Sequence, residues 1–490
     1  MKTAAESPPT EDDVYPVHLL DGTKLFRSLL VCYVFRFNHV LDAQKLHASL
    51  STLLEIGDWR KLGGRLRLKE DGRLEIHVPR PFTLQRPAVL FTHQKLDSSI
   101  ETHPAGRHLA KPSNSCSSNR HNQSQIEAFA QRPDSPRSVK DLIEKEMPQL
   151  SLHVTSFNDA TVIALLWPHT LMDAAGLNLL LTKWSLVLHG KGQDVSPVAC
   201  ARQDMLEQAE LQSHEEREEP VVNRLRPGLF GLIVMVARIV WHKMCRTTYE
   251  TRTIMLSGHD VLQLRQLAER DISSQLEKED GKALVSESDV LAAWGAKLAA
   301  SSQQKSRPIT IYSYINARFR LPFFRSTPDK ECIQNMILIA YASLSAQTAT
   351  EPLGRLALSH RRQVAEQSTT QQTLAYFAMQ RKHAKSHQTT RVLFGDPSAN
   401  TLNFNNLTKF DLFRAMDFSP AVAAGQQDTA GGNPPGTVVV FYPLVLNDTP
   451  SMDMLCVLGK DDADNCLMVG SFLPRTWVKI EMELQRLQSS

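Results

Sequence analysis

The chain has 490 residues, of which 42% are hydrophobic and 22% charged, and its formal net charge is +3. That length exceeds one ordinary core and points to two domains of roughly 200 residues each. The near-neutral balance lacks the dense Lys/Arg field of a nucleic-acid binder, so no nucleic-acid partner is expected.

Residues 1–13 are polar and acidic, without the apolar run of a secretory leader, and read as a disordered N-terminus. Residues 14–215 read as an N-terminal domain. Its runs "LLVCYVFRFNHV" and "RLEIHVP" are strand-like. Between them, "DAQKLHASLSTLLEI" repeats apolar residues at helical spacing behind Asp42, a candidate N-cap. Residues 97–138 are rich in Ser, His, Asn, Gln, Arg and Pro and read as a flexible insertion. Its His103, His108 and His121 follow no metal-ligand spacing, and no metal is expected. "QLSLHVTSF" and "TVIALLWP" are two further strands. A helix follows with apolar residues at 177, 180, 181, 184, 187 and 188.

The charged stretch 200–220 reads as a solvated helix running into a linker, 216–250. The linker holds "GLFGLIVMVARIVW", residues 228–241. A bilayer needs about 20 apolar residues, so this stretch is too short to span one, and Arg238 interrupts it. The first reading is a buried or groove-covering helix. The second is a helix making weak contact with a membrane surface, since Arg224, Arg226, Lys243 and Arg246 flank it.

Residues 251–490 repeat the grammar as a C-terminal domain. "YETRTIMLS", "PITIYSYINARFR", "NMILIAYASLSA", "GTVVVFYPLV", "DMLCVLG" and "CLMVGSFLP" read as strands, and "VSESDVLAAWGAKLAASS" as a helix with a Ser-x-x-Asp start. The fold class is therefore α/β with mixed sheets, in two halves that each carry a sheet. Seven cysteines, with no C-x-x-C among them, fit free thiols in a reducing compartment, the cytoplasm.

The chemistry gathers at "TVIALLWPHTLMDAAG". Pro168 cannot donate to a ladder and ends the strand. His169 then lies on the exit loop, and Asp173 opens the helix. An imidazole there suits a general base, because its ordinary pKa is near ambient pH. Taken alone, such a histidine is more often a hydrogen-bonded bystander, and such an aspartate an N-cap. The sequence contains no G-x-G-x-x-G, Walker A, H-E-x-x-H or G-x-S-x-G element.

The "WPHTLMDAAG" block resembles the H-x-x-x-D motif of the BAHD acyltransferases, in the D-x-x-G variant of fungal members. "YPVHLLDG", "SESDVLAAW", "INARFR" and "FGDPSANTLNFNNLTKFDLFRAMDFSPAV" resemble further segments of that family in the same order. The resemblance implies two chloramphenicol-acetyltransferase-like domains with an active-site channel between them. It implies His169 as the base, acyl-CoA (acetyl-CoA first) as cosubstrate with no permanently bound cofactor, and a small-molecule alcohol or amine as acceptor. Direct transfer by a monomer in secondary metabolism is expected. Asp173 is implied to hold the loop by pairing with an arginine, Arg318 first and Arg320 next, with Gly176 allowing close backbone approach. The family's D-F-G-W-G motif reads "DFSP" here. Asp417 stands with His169 as a candidate catalytic residue, although its role reads as structural or beside the coenzyme path. Asn405 and Asn406 are candidates for contact with an oxyanion or the coenzyme. Two alternatives share the motif: a non-catalytic small-molecule binder on this fold, and a condensation-type enzyme fed by a carrier protein. The histidine that such condensation enzymes carry before the motif is replaced here by Pro168.

Overall fold

The structure is a computed structural model and describes residues 12–109, 117–120, 123–130, 132–212, 218–244, 248–273, 285–325, 331–387, 394–425, 433–446 and 452–489. The expectation of a disordered N-terminus falls on residues outside this set, apart from 12 and 13.

Fifteen strands are described: β1 (Asp13–Pro16), β2 (Leu30–Phe37), β3 (Arg65–Leu68), β4 (Leu74–Val78), β5 (Leu90–Lys95), β6 (Ser117–Arg120), β7 (Ser151–Ser156) and β8 (Thr161–Pro168) in the first half, then β9 (Glu250–Leu256), β10 (Ile309–Asn316), β11 (Ile337–Leu344), β12 (Asn400–Asn406), β13 (Val440–Val445), β14 (Asp453–Lys460) and β15 (Cys466–Phe472). They form a three-stranded sheet β1-β4-β3, a five-stranded sheet β13-β2-β8-β7-β5 and a seven-stranded sheet β11-β10-β12-β14-β15-β9-β6. Parallel pairs (β5/β7, β10/β12, β12/β14) mix with antiparallel ones, so the sheets are of the expected mixed kind.

The two large sheets do not divide cleanly between the halves of the chain. β13, from near the C-terminus, pairs antiparallel with β2 (Val440 opposite Arg36, Val445 opposite Val31). In return β6 adds to β9 at the edge of the seven-stranded sheet. This corrects the expectation of one sheet per half. The pairings join residues more than a hundred positions apart, about 400 for β13 and β2, and no local pattern encodes them.

β8 runs from Thr161 to Pro168 and is buried along its whole length between β2 and β7. This burial on both faces accounts for a nearly continuous apolar run. The helix Ala174–Leu188 follows. It buries Leu177, Leu180, Leu181, Trp184 and Leu188 and packs on the helix Ala43–Leu53, with Trp184 Nε1 donating to Ser49 Oγ at 2.9 Å. Asp42 caps Ala43–Leu53 by accepting from the backbone N–H groups of Gln44 and Lys45. Ser286 and Asp289 form a reciprocal capping box on the helix Glu287–Ser301.

Three local readings need correction. The stretch 97–138 is not wholly a loop: the helix Gln123–Ala130 lies within it and sets Ile126, Phe129 and Ala130 against β2, β7 and β8. The helix Met205–Gln212 in the charged stretch is only half solvated. Met205, Leu206 and Ala209 are buried, and Arg381 holds both Asp204 (2.9 Å) and Glu210 (3.1 Å). The linker helix Leu229–Met244 forms and borders the cavity through Met235, Arg238 and Trp241, in keeping with the groove-covering reading, but it is not buried: one apolar face lies open. No helix among the described residues is long and apolar enough to cross a membrane.

Candidate active site

His169 is the first residue beyond β8, and its position is fixed from three sides. Its backbone N–H donates to Leu29 O at 2.9 Å, continuing the register of β2 and β8. Its carbonyl accepts from Asn335 Nδ2 at 2.9 Å. Its ring stacks on Phe26, with centroids 4.7 Å apart and planes 18° from parallel. Asn335 is itself anchored, since its Nδ2 and backbone N–H both donate to buried Asp21 Oδ1, at 2.8 and 3.1 Å. Burial pushes the Asp21 carboxyl well above the usual carboxylate range.

His169 Nδ1 is buried, and the residue lines the cavity described below. Desolvation lowers the imidazole pKa. The ring's own backbone carbonyl, the Asp173 charge and Asn335 oppose this less strongly. The ring is therefore neutral at ordinary pH and able to accept a proton.

Asp173 borders the same cavity, but both of its carboxylate oxygens are engaged by the scaffold. Its Oδ1 caps Ala174–Leu188 by accepting from Gly176 N at 3.0 Å. Its Oδ2 accepts from Met336 N at 3.0 Å and from Arg318 Nη1 at 2.9 Å. Arg318 also donates to the carbonyls of Cys332 and Gln334 and to Asn316 Oδ1. These bonds tie the His169–Asp173 loop to the approach to β11. Gly176 lies under the same segment: a Cβ there would come within 2.8 Å of Ile333 O and 2.7 Å of Met172 Cβ. Arg320, the other arginine considered, lines the cavity instead.

A cavity of about 1720 Å³ opens at His169 and is lined by both halves of the chain. Leu25, Phe26, Leu29 and Tyr33 come from the first half, and Tyr312, Tyr314, Ile337, Tyr341, Phe404, Phe410 and Tyr442 from the second. Its size exceeds the roughly 300–1,000 Å³ of a single-ligand pocket and suits two substrates meeting at one point. Asn405 and Asn406 both line it. The Asn406 side-chain Oδ1 accepts from the backbone N–H and hydroxyl of Thr408, while no described residue bonds the Asn405 side-chain amide.

Asp417 is not part of the cavity lining. Its carboxylate is 56% exposed, accepts from Ser419 N at 3.1 Å and lies 3.3 Å from His189 Nε2. A catalytic place for Asp417 therefore has no geometric support. Its neighbour Phe418 is the anchor, fully buried against Phe37 and Trp184.

Sequence reasoning passed over Phe26, Asn335 and Asp21. Phe26 lies in a short turn of helix, Lys24–Arg27, with no periodicity to mark it. Asn335 is one polar residue ahead of an apolar strand. Neither carries a local signal for its neighbour across the fold.

A family model described as the Transferase family matches residues 134–401. The chain belongs to this BAHD-type transferase family. Among curated proteins it is 32% identical to acetyltransferase pyiB of Pyricularia grisea, over 97% of this chain and 94% of that one. It is 33% identical to O-acetyltransferase PaAT-2 of Phomopsis amygdali, over 97% and 98%. Among solved structures, F. graminearum TRI101 complexed with coenzyme A and T-2 mycotoxin superposes with a TM-score of 0.65 at 12% identity, covering 97% of this chain and 98% of that one. The fold of this BAHD transferase is thus shared with TRI101, and the chloramphenicol-acetyltransferase-like architecture implied by the sequence is the one present.

Proposed function

We propose that this protein is an acyl-CoA-dependent O-acyltransferase that moves an acetyl group onto a hydroxyl of a small, largely apolar secondary metabolite, with His169 as general base. The observation that carries this reading is the His169 imidazole, held at the end of β8 and lining a cavity large enough for two substrates, with its pKa lowered by desolvation. Asp173 and Arg318 act as positioning residues that hold its loop. Family membership, and relatives named as acetyltransferases, support the reaction class.

In the proposed step the acceptor oxygen attacks the thioester carbonyl carbon while Nε2 takes the hydroxyl proton. A tetrahedral oxyanion forms, with the Asn405 amide as the candidate donor to it. The C–S bond then breaks, and the departing thiolate recovers the proton from the imidazolium as coenzyme A. No acyl-enzyme is formed. Aromatic walls favour an apolar acceptor. The five described cysteines are free and buried, which supports a reducing compartment such as the cytoplasm.

The test uses isotopically labelled acetyl-CoA with a metabolite extract of the producing organism and mass spectrometry. An acetyl ester formed by wild type and absent with His169→Ala supports the reading. Equal labelling by both proteins refutes the base assignment and favours the non-catalytic binder.

A further inference from the structure

The helix Leu229–Met244 leaves a long apolar face uncovered. Leu229 is 79% exposed, Phe230 81%, Trp241 67% and Met244 74%, with Ile233, Val236 and Val240 also exposed along the same side. The opposite side is fastened. Met235 is buried, and Arg238 donates to the carbonyls of Pro397 and Ala399 and to Asn400 Oδ1, each at 2.8 Å. Gly231 lets the backbone close on Pro397, since a Cβ there would lie 2.7 Å from the proline ring. The fold thus orients the apolar stripe outward and cannot easily turn it in.

We propose that this helix docks the protein onto the surface of an anionic lipid membrane. Two observations favour lipid over other occupants. From Pro220 to Tyr249 the sequence contains, besides the inward-bonded Arg238, four cationic residues (Arg224, Arg226, Lys243, Arg246) and no carboxylate, a complement to acidic headgroups. Arg224 pairs with Glu366 at 3.1 Å, so part of that charge is met within the fold. The stretches outside the described residues carry no more than two consecutive apolar residues anywhere, so no other part of this chain offers a matching cover.

At 16 residues the helix is about 24 Å long, suited to lying in the interface rather than crossing it. Met235, Arg238 and Trp241 also line the cavity, so docking would set the cavity rim at the lipid surface. On the acyltransfer reading, an apolar acceptor dissolved in the bilayer would then approach His169 without crossing bulk water. The docking does not depend on that reading, and its test needs no substrate.

The test uses full-length protein and vesicles of phosphatidylcholine with or without phosphatidylserine. Trp59, Trp167, Trp184, Trp294 and Trp477 are all buried, so Trp241 is the one tryptophan open to lipid. Flotation with phosphatidylserine vesicles, weakened by salt, is expected, as is quenching of tryptophan emission by brominated acyl chains that disappears in Trp241→Phe. Phe230→Ser combined with Ile233→Ser should lower binding about tenfold or more with the melting temperature unchanged. Leu84→Ser, more exposed still but remote in sequence, should bind as wild type. Failure to float with phosphatidylserine vesicles at low salt would overturn the proposal. So would quenching that survives Trp241→Phe, or a concentration-dependent dimer that the double substitution dissolves, since a second copy would then own the face.

Discussion

Replacing Asp173 with alanine separates a structural aspartate from a chemical one. The change removes acceptors for Gly176 N, Met336 N and Arg318 Nη1 together. Loss of an N-cap costs about 1 kcal/mol. Orphaning a buried ion-pair partner costs about 3–5 kcal/mol. Arg318 keeps the Cys332 and Gln334 carbonyls as hydrogen-bond acceptors, which brings the total toward the lower end, about 4 kcal/mol. Asp173→Asn retains an oxygen for the Gly176 cap and gives up the charge, so its cost should be roughly half. Thermal melting and acetyl transfer would be read on both variants. The expected pattern is a graded loss of melting temperature, Ala beyond Asn, with kcat falling alongside as the His169 loop loosens. If Asp173→Ala melts as wild type yet loses all activity, the aspartate acts in the chemistry and the positioning argument is refuted.

The remaining expectations are more local. His169→Ala should lower kcat by about 10²- to 10⁴-fold with little change in melting temperature. With the imidazole pKa held below its ordinary value of about 6.5, kcat/KM should stay flat through neutrality and fall only as pH drops through the lowered value. The same depression means protonation favours the unfolded chain, so this group's contribution to stability is complete above about pH 6.5 and is lost at lower pH; acid unfolding of wild type against a His169→Gln variant reads it. Gly176→Ala drives a methyl group into Ile333 O and should destabilise by about 1–3 kcal/mol in chemical denaturation. Asp417→Asn, at an exposed pair with His189, should leave kcat unchanged; a loss matching that of His169→Ala would restore Asp417 to the catalytic machinery.

Local features of this fold were legible and long-range ones were not. The apolar run closed by Pro168, the caps Asp42, Asp173 and Ser286, and the helical spacing after Asp173 all rest on neighbours within a few residues. Each appears where the pattern put it. The helix Gln123–Ala130 was hidden because a few apolar side chains suffice to anchor it in an otherwise polar stretch. The open face of Leu229–Met244 was misread because hydrophobicity alone does not say whether a partner exists. At the site, His169 and Asp173 share one motif, whereas Asn335 reaches the His169 carbonyl from 166 positions away. Asp417 lay in a recognisable motif, but its carboxylate points to His189 at the surface.

The exchange of β13 into the first sheet also sets a timetable for making the protein. β2 leaves the ribosome early, and the strand that closes its outer edge is encoded about 400 residues later. At the usual translation rates of about 5–20 residues per second, that edge waits on the order of 20–80 s for its partner. Throughout this interval a row of unpaired backbone groups, on a strand that is buried along its whole length in the finished fold, is available to a neighbouring nascent chain. A stop codon anywhere before residue 440 would make the wait permanent, so C-terminal truncations should appear as aggregates of the first half rather than as a smaller folded domain.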